Sequence, residues 1–464
     1  MKFGIERKWW TLAVIGSGTF MSALDTSIVN IALPIIGKTT KSPVSTIEWV
    51  VLIYLITVSS SLLIFGRLAD IYGKRNIYMS GQIIFALGSL CCGLSGHIGL
   101  LIASRALQAM GAAMLFALSP AIIVSTFPSK ERGAALGMQA TMTYLGMSIG
   151  PALGGLLTQY FGWPSIFFVN VPIGLAMVCV SAGVLNRDDS GDGQAFDPIG
   201  AGTMAVALAT LLFALSKGPE TGWSSPFILS MLAVAAISGL TFVMIESKIK
   251  HPALDFRLFA NKRFTASTMS AFLCYAATAS VSFLMPFFLM HACGYRADHA
   301  GIILMATPIA MMILTGPSGF LSDRVGVRLP TTLGMAVMAV GILLLRSLNP
   351  ASSPHQITMI AAMIGVGAGL FTAPNNSAIM GSAPSDKQGV AGAILAAART
   401  TGFASGVALT GVVYVSRLHA LRTLPEPIAI THAVQASAIV IASIASVGAV
   451  LSAFRGNPKV SSTR

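Results

Sequence analysis

Long apolar runs, each closed by a short polar stretch, recur about fourteen times along the chain. They cover roughly residues 11–33, 48–66, 77–95, 98–120, 133–157, 164–185, 199–216, 225–245, 265–289, 301–320, 330–347, 357–380, 389–415 and 433–454. A helix needs about 20 apolar residues to cross ~30 Å of hydrocarbon, so each run predicts a membrane-spanning α-helix. No stretch between them is long enough to fold as a soluble domain. The longest, Glu246 to Phe264, mixes five Lys and Arg with Leu254, Phe256, Leu258 and Phe259. It reads either as a short amphipathic element on the membrane surface or as a plain basic linker.

Composition agrees with that pattern. The chain is 54% hydrophobic and 10% charged, against about 25% charged in soluble domains. The net charge of +13 is not a nucleic-acid signature, because the positive residues gather at segment ends. With the N-terminus placed inside, the inner connections carry a roughly threefold excess of Lys and Arg over the outer ones. Both termini are then expected in the cytoplasm. All five Trp (Trp9, Trp10, Trp49, Trp163 and Trp223) fall at segment ends, where indole rings anchor in the interface. The five Cys show neither metal-ligand spacing nor a disulfide framework. The basic start of the chain leads into a run too long for a signal peptide, which is expected to be retained.

Against this apolar background one carboxylate stands out. Asp25, in Ser22-Ala-Leu-Asp25-Thr-Ser-Ile-Val-Asn30, is the only acid that falls deep inside a predicted span. A charge there costs at least ~2.5 kcal/mol on insertion scales, which points to function. The function that fits is proton carriage: uptake on one side of the membrane and release on the other. The alternative is a buried acid that only bonds neighbouring helices. At ~1.5 Å per residue, Asp25 lies ~21 Å from the inner face and so ~9 Å from the outer one. Arg105, on a span entered from outside, lies ~10 Å in. The two are expected to share a level, either as a switch whose charge state follows the conformation or as a static neutral pair.

Two further patterns concern organisation. Gly66-Arg-Leu-Ala-Asp70-Ile-Tyr-Gly73-Lys-Arg75 is echoed by Gly319-Phe-Leu-Ser-Asp323-Arg324-Val-Gly326-Val-Arg328. Such a repeat implies two similar helical halves with a site at their interface. The second copy follows eight runs later rather than six, so two extra helices sit between six-helix halves. The expected division is 1–186, an inserted 187–250, and 251–464. Asp70 and Asp323 are expected just after their helices, where acids among basic neighbours can latch the cytoplasmic side. Gly146, Gly150 and Gly154 recur every fourth position beside Pro151 and Gly155, which lets another backbone approach closely.

These motifs together resemble the major facilitator superfamily, and within it the fourteen-helix drug:proton antiporter family, over nearly the whole chain. Leu24 to Pro34 is similar to that family's first-helix signature, and Gly66 to Arg75 to the superfamily's cytoplasmic loop. Arg105-Ala-Leu-Gln108-Ala-Met-Gly111 resembles its fourth-helix motif, and Gly146 to Gly155 its antiporter motif. Phe168 to Gly174, Gly367 to Asn376 and Arg399-Thr-Thr-Gly402 are also similar. Trp163-Pro-Ser and Pro286-Phe-Phe-Leu-Met290 depart from the family pattern. The resemblance implies an all-α integral membrane protein of major-facilitator type with 14 transmembrane helices. It implies proton-coupled efflux of lipophilic, cationic compounds by alternating access, in a multi-pass protein of a bacterial inner (plasma) membrane.

On that reading Asp25 and Arg105 couple protons, and Gly66, Asp70, Gly73, Arg75, Asp323 and Arg324 form the cytoplasmic gate. Candidate cavity residues are Asn30, Tyr54, Asn170, Phe283, Asn375 and Arg399, although helix packing accounts for the asparagines better than a wet cavity does. No cofactor or metal is expected, the proton gradient being the energy source. The expected partners are a drug-like small molecule, protons and the lipid bilayer, with the chain working as a monomer and binding no nucleic acid. Two other readings stand beside this one. One is export of a specific metabolite or antibiotic, anionic and held by Arg105 and Arg399. The other is a membrane-embedded enzyme or sensor, for which no HExxH, no Ser/His/Asp set and no phosphate loop is present.

Overall fold

A computed structural model describes residues 6–128, 131–185, 198–246, 256–384 and 388–455, and among these no strand occurs. Lipid offers backbone groups no partner, so apolar runs of this length must satisfy their own amides as helices. The chain forms α1 (Arg7–Thr40), α2 (Val44–Tyr72), α3 (Lys74–Gly93), α4 (Ile98–Thr126) and α5 (Arg132–Phe161). After these come α6 (Ser165–Phe168), α7 (Asn170–Val184), α8 (Pro198–Thr221) and α9 (Pro226–Glu246). The remainder forms α10 (Lys262–Phe287), α11 (Ala297–Leu304), α12 (Ala306–Val325), α13 (Arg328–Leu344), α14 (Pro354–Ser382), α15 (Gln388–Ala420) and α16 (Glu426–Phe454). A π-turn, Phe288–Ala292, extends α10 just beyond Pro286, where the proline has already removed a ladder hydrogen bond.

Each of the fourteen expected runs falls on helix. Ten of the described helices are long and apolar enough to cross a membrane. α3 is not among them, because Lys74, Arg75, Asn76 and Gln82 dilute its hydropathy. Of the Glu246–Phe264 connection, Phe256–Ala260 forms a 3-10 turn. The amphipathic element or linker expected over residues 247–255 lies outside the described residues.

The chain divides into two compact units, Met1–Ile245 with Tyr295–Met305, and Glu246–Gly294 with Ala306–Arg464. In the first unit α1 packs along α5, α3 along α4 and α7, and α2 along α4. α8 lies against α2, with the Trp49 and Phe213 rings 5.1 Å apart, and α11 lies against α5. In the second unit α10 packs along α15, α13 along α14 and α16, and α12 along α14. The packing of α10, α12, α13, α14, α15 and α16 repeats that of α1, α2, α3, α4, α5 and α7.

The repeated loop turns on a glycine with positive φ in both copies. α2 ends at Gly73 with φ +87°, and α12 ends at Gly326 with φ +81°, a region a side chain rarely enters. This corrects one expectation: Asp70 and Asp323 lie within the last turn of α2 and α12, not after them. The helices run on until a glycine lets the chain turn. The side chains of Asp70 and Asp323 are outside the described residues, so the latch expected of them is too.

Candidate functional site

α1 brings Asp25 to the centre of the first unit, where it is closed off from solvent. α4 brings Arg105, 1% exposed, to face it. Arg105 Nη1 donates to Asp25 Oδ2 at 2.6 Å and to Gln108 Oε1 at 2.5 Å, while its Nε donates to the Val50 carbonyl at 3.1 Å. Gln108 Nε2 donates to Asp25 Oδ1 at 2.8 Å and to Ser89 Oγ at 2.7 Å. Asn170 Nδ2 adds a third donor to the carboxylate, 3.0 Å from Oδ1. The Arg105 guanidinium carbon stands 4.2 Å from the centroid of the Tyr54 ring and 5.7 Å from that of Phe167, within range of a cation–π attraction.

Every group that faces the carboxylate donates, so the arrangement is complementary to the anion. A proton placed on either oxygen would meet a donor rather than an acceptor. Protonation therefore has to break at least one contact among α1, α4 and α7.

The expected level match between Asp25 and Arg105 is a direct ion pair. Of the expected cavity residues, Asn170 and Tyr54 join this cluster. Asn30 lies five residues farther along α1, half-buried, and its Oδ1 meets no donor. Phe283, Asn375 and Arg399 belong to the second unit. Phe283 is fully buried beside Phe287, with ring centroids 5.4 Å apart, and Arg399 is half-buried on α15.

Asn375 belongs to a second buried polar cluster that the sequence did not announce. Arg455, 5% exposed at the end of α16, donates through Nη1 to Asn375 Oδ1 at 2.5 Å and Ser267 Oγ at 2.8 Å. Its Nη2 donates to Thr331 Oγ1 at 2.5 Å and to the Val327 carbonyl at 3.4 Å. Asn375 Nδ2 donates in turn to the Ser267 carbonyl at 3.1 Å. The helices joined here, α10, α13, α14 and α16, are the counterparts of α1, α3, α4 and α7. Among the described residues no carboxylate is bonded to this arginine. Burial pulls its guanidinium down to about 10, which still leaves it charged at neutral pH.

The glycine motif divides between two neighbours. Gly146, Gly150 and Gly154 face Phe20, Ser27 and Ile28 of α1. Gly155 lies on another side, against the Ala297 carbonyl of α11, and Gly301 of α11 returns the contact against the Pro151 carbonyl. Tyr160, Arg296 and Asp298 lie beside this crossing, Arg296 Nη2 reaching Asp298 Oδ2 at 3.2 Å. Among the gate residues, Arg75 Nη2 donates to the Ala182 carbonyl at 2.7 Å, and Arg324 is exposed. Gly66 has open space where a Cβ would stand, so packing does not demand glycine there.

Comparison with known proteins bears on the family and the fold. A profile of the Major Facilitator Superfamily matches residues 15–256 and 267–464. Riboflavin transporter RibZ of Clostridioides difficile is 34% identical over 405 residues, 87% of this chain and 88% of the relative. Multidrug resistance protein Stp of Mycobacterium tuberculosis is 31% identical over 425 residues, 90% of this chain and 79% of that one. Multidrug transporter protein MdtP of Bacillus subtilis is 33% identical over 86% of this chain and 74% of its own. Among solved structures, a bacterial homologue of the human lysosomal transporter Spinster, inward-facing and unoccupied, superimposes with a TM-score of 0.70. That likeness covers 97% of both chains at 14% identity and is one of fold.

Proposed function

The chain belongs to the major facilitator superfamily, and from that premise we propose that it is a proton-coupled antiporter exporting lipophilic, cationic compounds by alternating access. It is a multi-pass membrane transporter of small molecules and not an enzyme. Asp25 carries the proton and Arg105 competes with that proton for the carboxylate. Taken up from outside, the proton breaks the ion pair and frees α1, α4 and α7 to rearrange. Its release inside restores the pair and resets the carrier. The observation that carries this reading is the fully buried Asp25–Arg105 pair. A buried ion pair is a poor way to hold helices together, since apolar residues of similar volume often do so as well or better. Its presence favours a working role.

The same proposal places fourteen helices in a bacterial plasma membrane, as two six-helix halves with α8 and α9 inserted, both ends cytoplasmic and the chain acting as a monomer. Asp70 and Asp323 close the inner side. The Gly155–Gly301 crossing of α5 and α11 closes the outer one. One proton moving down ~100 mV supplies ~2.3 kcal/mol, and no cofactor is required.

The test is gradient-driven export of a dye cation from vesicles with an imposed pH difference, native chain against Asp25→Asn. Retained coupling in the variant removes Asp25 from its role. A second reading, export of one metabolite, is favoured by the similarity to a riboflavin transporter and by the half-buried Arg399. It would be supported if no dye cation moves and an aromatic metabolite does.

A further inference from the structure

The buried face of α7 is a single stripe, Asn170, Gly174, Met177 and Ser181. It starts at the Asp25 cluster and ends one helix turn from the inner end of the first unit. α3 runs beside it in the opposite sense, burying Tyr78, Gln82 and Ser89 on the way to the same cluster. The two helices are held in register at several levels. Arg75 reaches the Ala182 carbonyl, and Gly174 lies beside Ala86 and the Gln82 carbonyl. On α1, Gly18 lies against both the Tyr78 hydroxyl and the end of the Met177 side chain.

The polar groups along this seam lack partners. Gln82 is fully buried, and neither its Nε2 nor its Oε1 has a hydrogen bond. Ser181 Oγ, equally buried, has none, and neither does Asn170 Oδ1 at the Asp25 end. Tyr78 Oη, beside them, makes a long contact to the Val14 carbonyl, 3.5 Å, and has Ser119 as a second partner. Leaving a buried polar atom unsatisfied costs about 1–3 kcal/mol, and four of them along one seam exceed what packing alone would keep. Internal water, which bonds about three polar groups at a time, is the ordinary partner of such atoms.

We propose that water fills this seam between α1, α3 and α7 and connects the inner face with Asp25, so that protons leave through the body of the first unit. This rests on the reading of Asp25 as the proton carrier. Starting from the protonated acid, the Asp25 O–H bond breaks and the proton passes to the water beside Asn170 Oδ1. The electron pair stays on the carboxylate, which re-forms its contact with Arg105. The proton then moves from water to water past Gln82, and an equivalent proton leaves beyond Ser181. Water is the only co-reactant, and nothing is oxidised or reduced. Tyr78 and Met177 meet beside Gly18 on this route. The route keeps the proton apart from the exported compound.

The test uses the full-length chain in liposomes, native and as Gln82→Leu and Ser181→Ala. Brief X-ray radiolysis of water labels side chains beside internal water even when bulk solvent does not reach them. Tyr78 and Met177, 0% and 7% exposed, should be labelled in the native chain, and severalfold less in Gln82→Leu. Proton release to the inner side after a pH jump should slow about tenfold in each variant, the rate equivalent of one lost hydrogen-bonding group. Affinity for the exported dye should stay unchanged. No labelling of Tyr78 and Met177 in the native chain overturns the water file, as does native-rate release in both variants. If Asp25→Asn is uncoupled while both seam variants release protons normally, only the route fails. If Asp25→Asn stays coupled, the carrier itself has been misassigned.

Discussion

Arg105 and Asp25, eighty positions apart in the chain, meet through a 2.6 Å contact with neither side chain open to solvent. Removing one partner strands the other. Arg105→Met should lower unfolding stability by about 3–5 kcal/mol, because the carboxylate then stays buried without its counter-charge. Asp25→Asn strands the cation but keeps the side-chain shape and one acceptor oxygen, so the loss should be smaller. The double variant Asp25→Asn/Arg105→Met should recover part of the stability and none of the coupling. Thermal unfolding in detergent, run beside the vesicle assay, measures both.

Gly301 of α11 touches the Pro151 carbonyl of α5 closely enough that a methyl group cannot fit without moving one backbone. Gly301→Ala should therefore part α11 from α5 while leaving each helix intact. The expected outcome is a folded protein with export reduced by an order of magnitude or more. A thiol placed by Ala297→Cys should react faster with a membrane-impermeant reagent applied from outside in that background. Unchanged export and unchanged labelling would remove the crossing from the outer seal.

Among the described residues Arg455 has no acid bonded to it, so its loss should affect folding and not coupling. Arg455→Met leaves Asn375 Oδ1 and Thr331 Oγ1 short of a donor, at about 1–3 kcal/mol of stability, partly offset by removal of a buried charge. The number of protons moved per exported molecule should stay at the native value. A changed ratio would give the second unit a share in proton handling.

Cys293 stands beyond the π-turn that follows α10, and burial pushes its thiol up to about 11. Thiolate at neutral pH is then roughly a hundredfold scarcer than for a thiol at 9.0. Maleimide labelling of a chain whose other cysteines are replaced should be slow at pH 7 and should climb about tenfold per pH unit up to that range. A plateau near pH 9 would mean that the thiol is not held in this environment.

Periodicity and charge placement made much of the architecture legible. Apolar runs can be read one at a time, and two residues at equal depth, Asp25 and Arg105, could be matched by counting from their own helix ends. Gln108 was within reach, three residues past Arg105 and so on the same face of α4. Arg455 was not. Following an apolar run, it looks like one more interfacial cation. Its burial depends on Ser267, Thr331 and Asn375, which only tertiary packing brings together. Gln82 hides for the same reason, since a single amide in a helix named by its apolar neighbours gives no periodic signal. The placement of Asp70 and Asp323 failed on a local point: the polar residues start before the helix stops, and the stop belongs to Gly73 and Gly326.

That stop has a mechanical side. Between Tyr72 at the end of α2 and Lys74 at the start of α3 there is one residue, Gly73. An elbow so short holds no slack, and any swing of α2 at this end must be absorbed by one pair of torsions or handed on to α3. The far end of that lever is Ser89, which steadies Gln108 against Asp25. A push applied at this elbow thereby arrives, stiffly and without a messenger, at the acid.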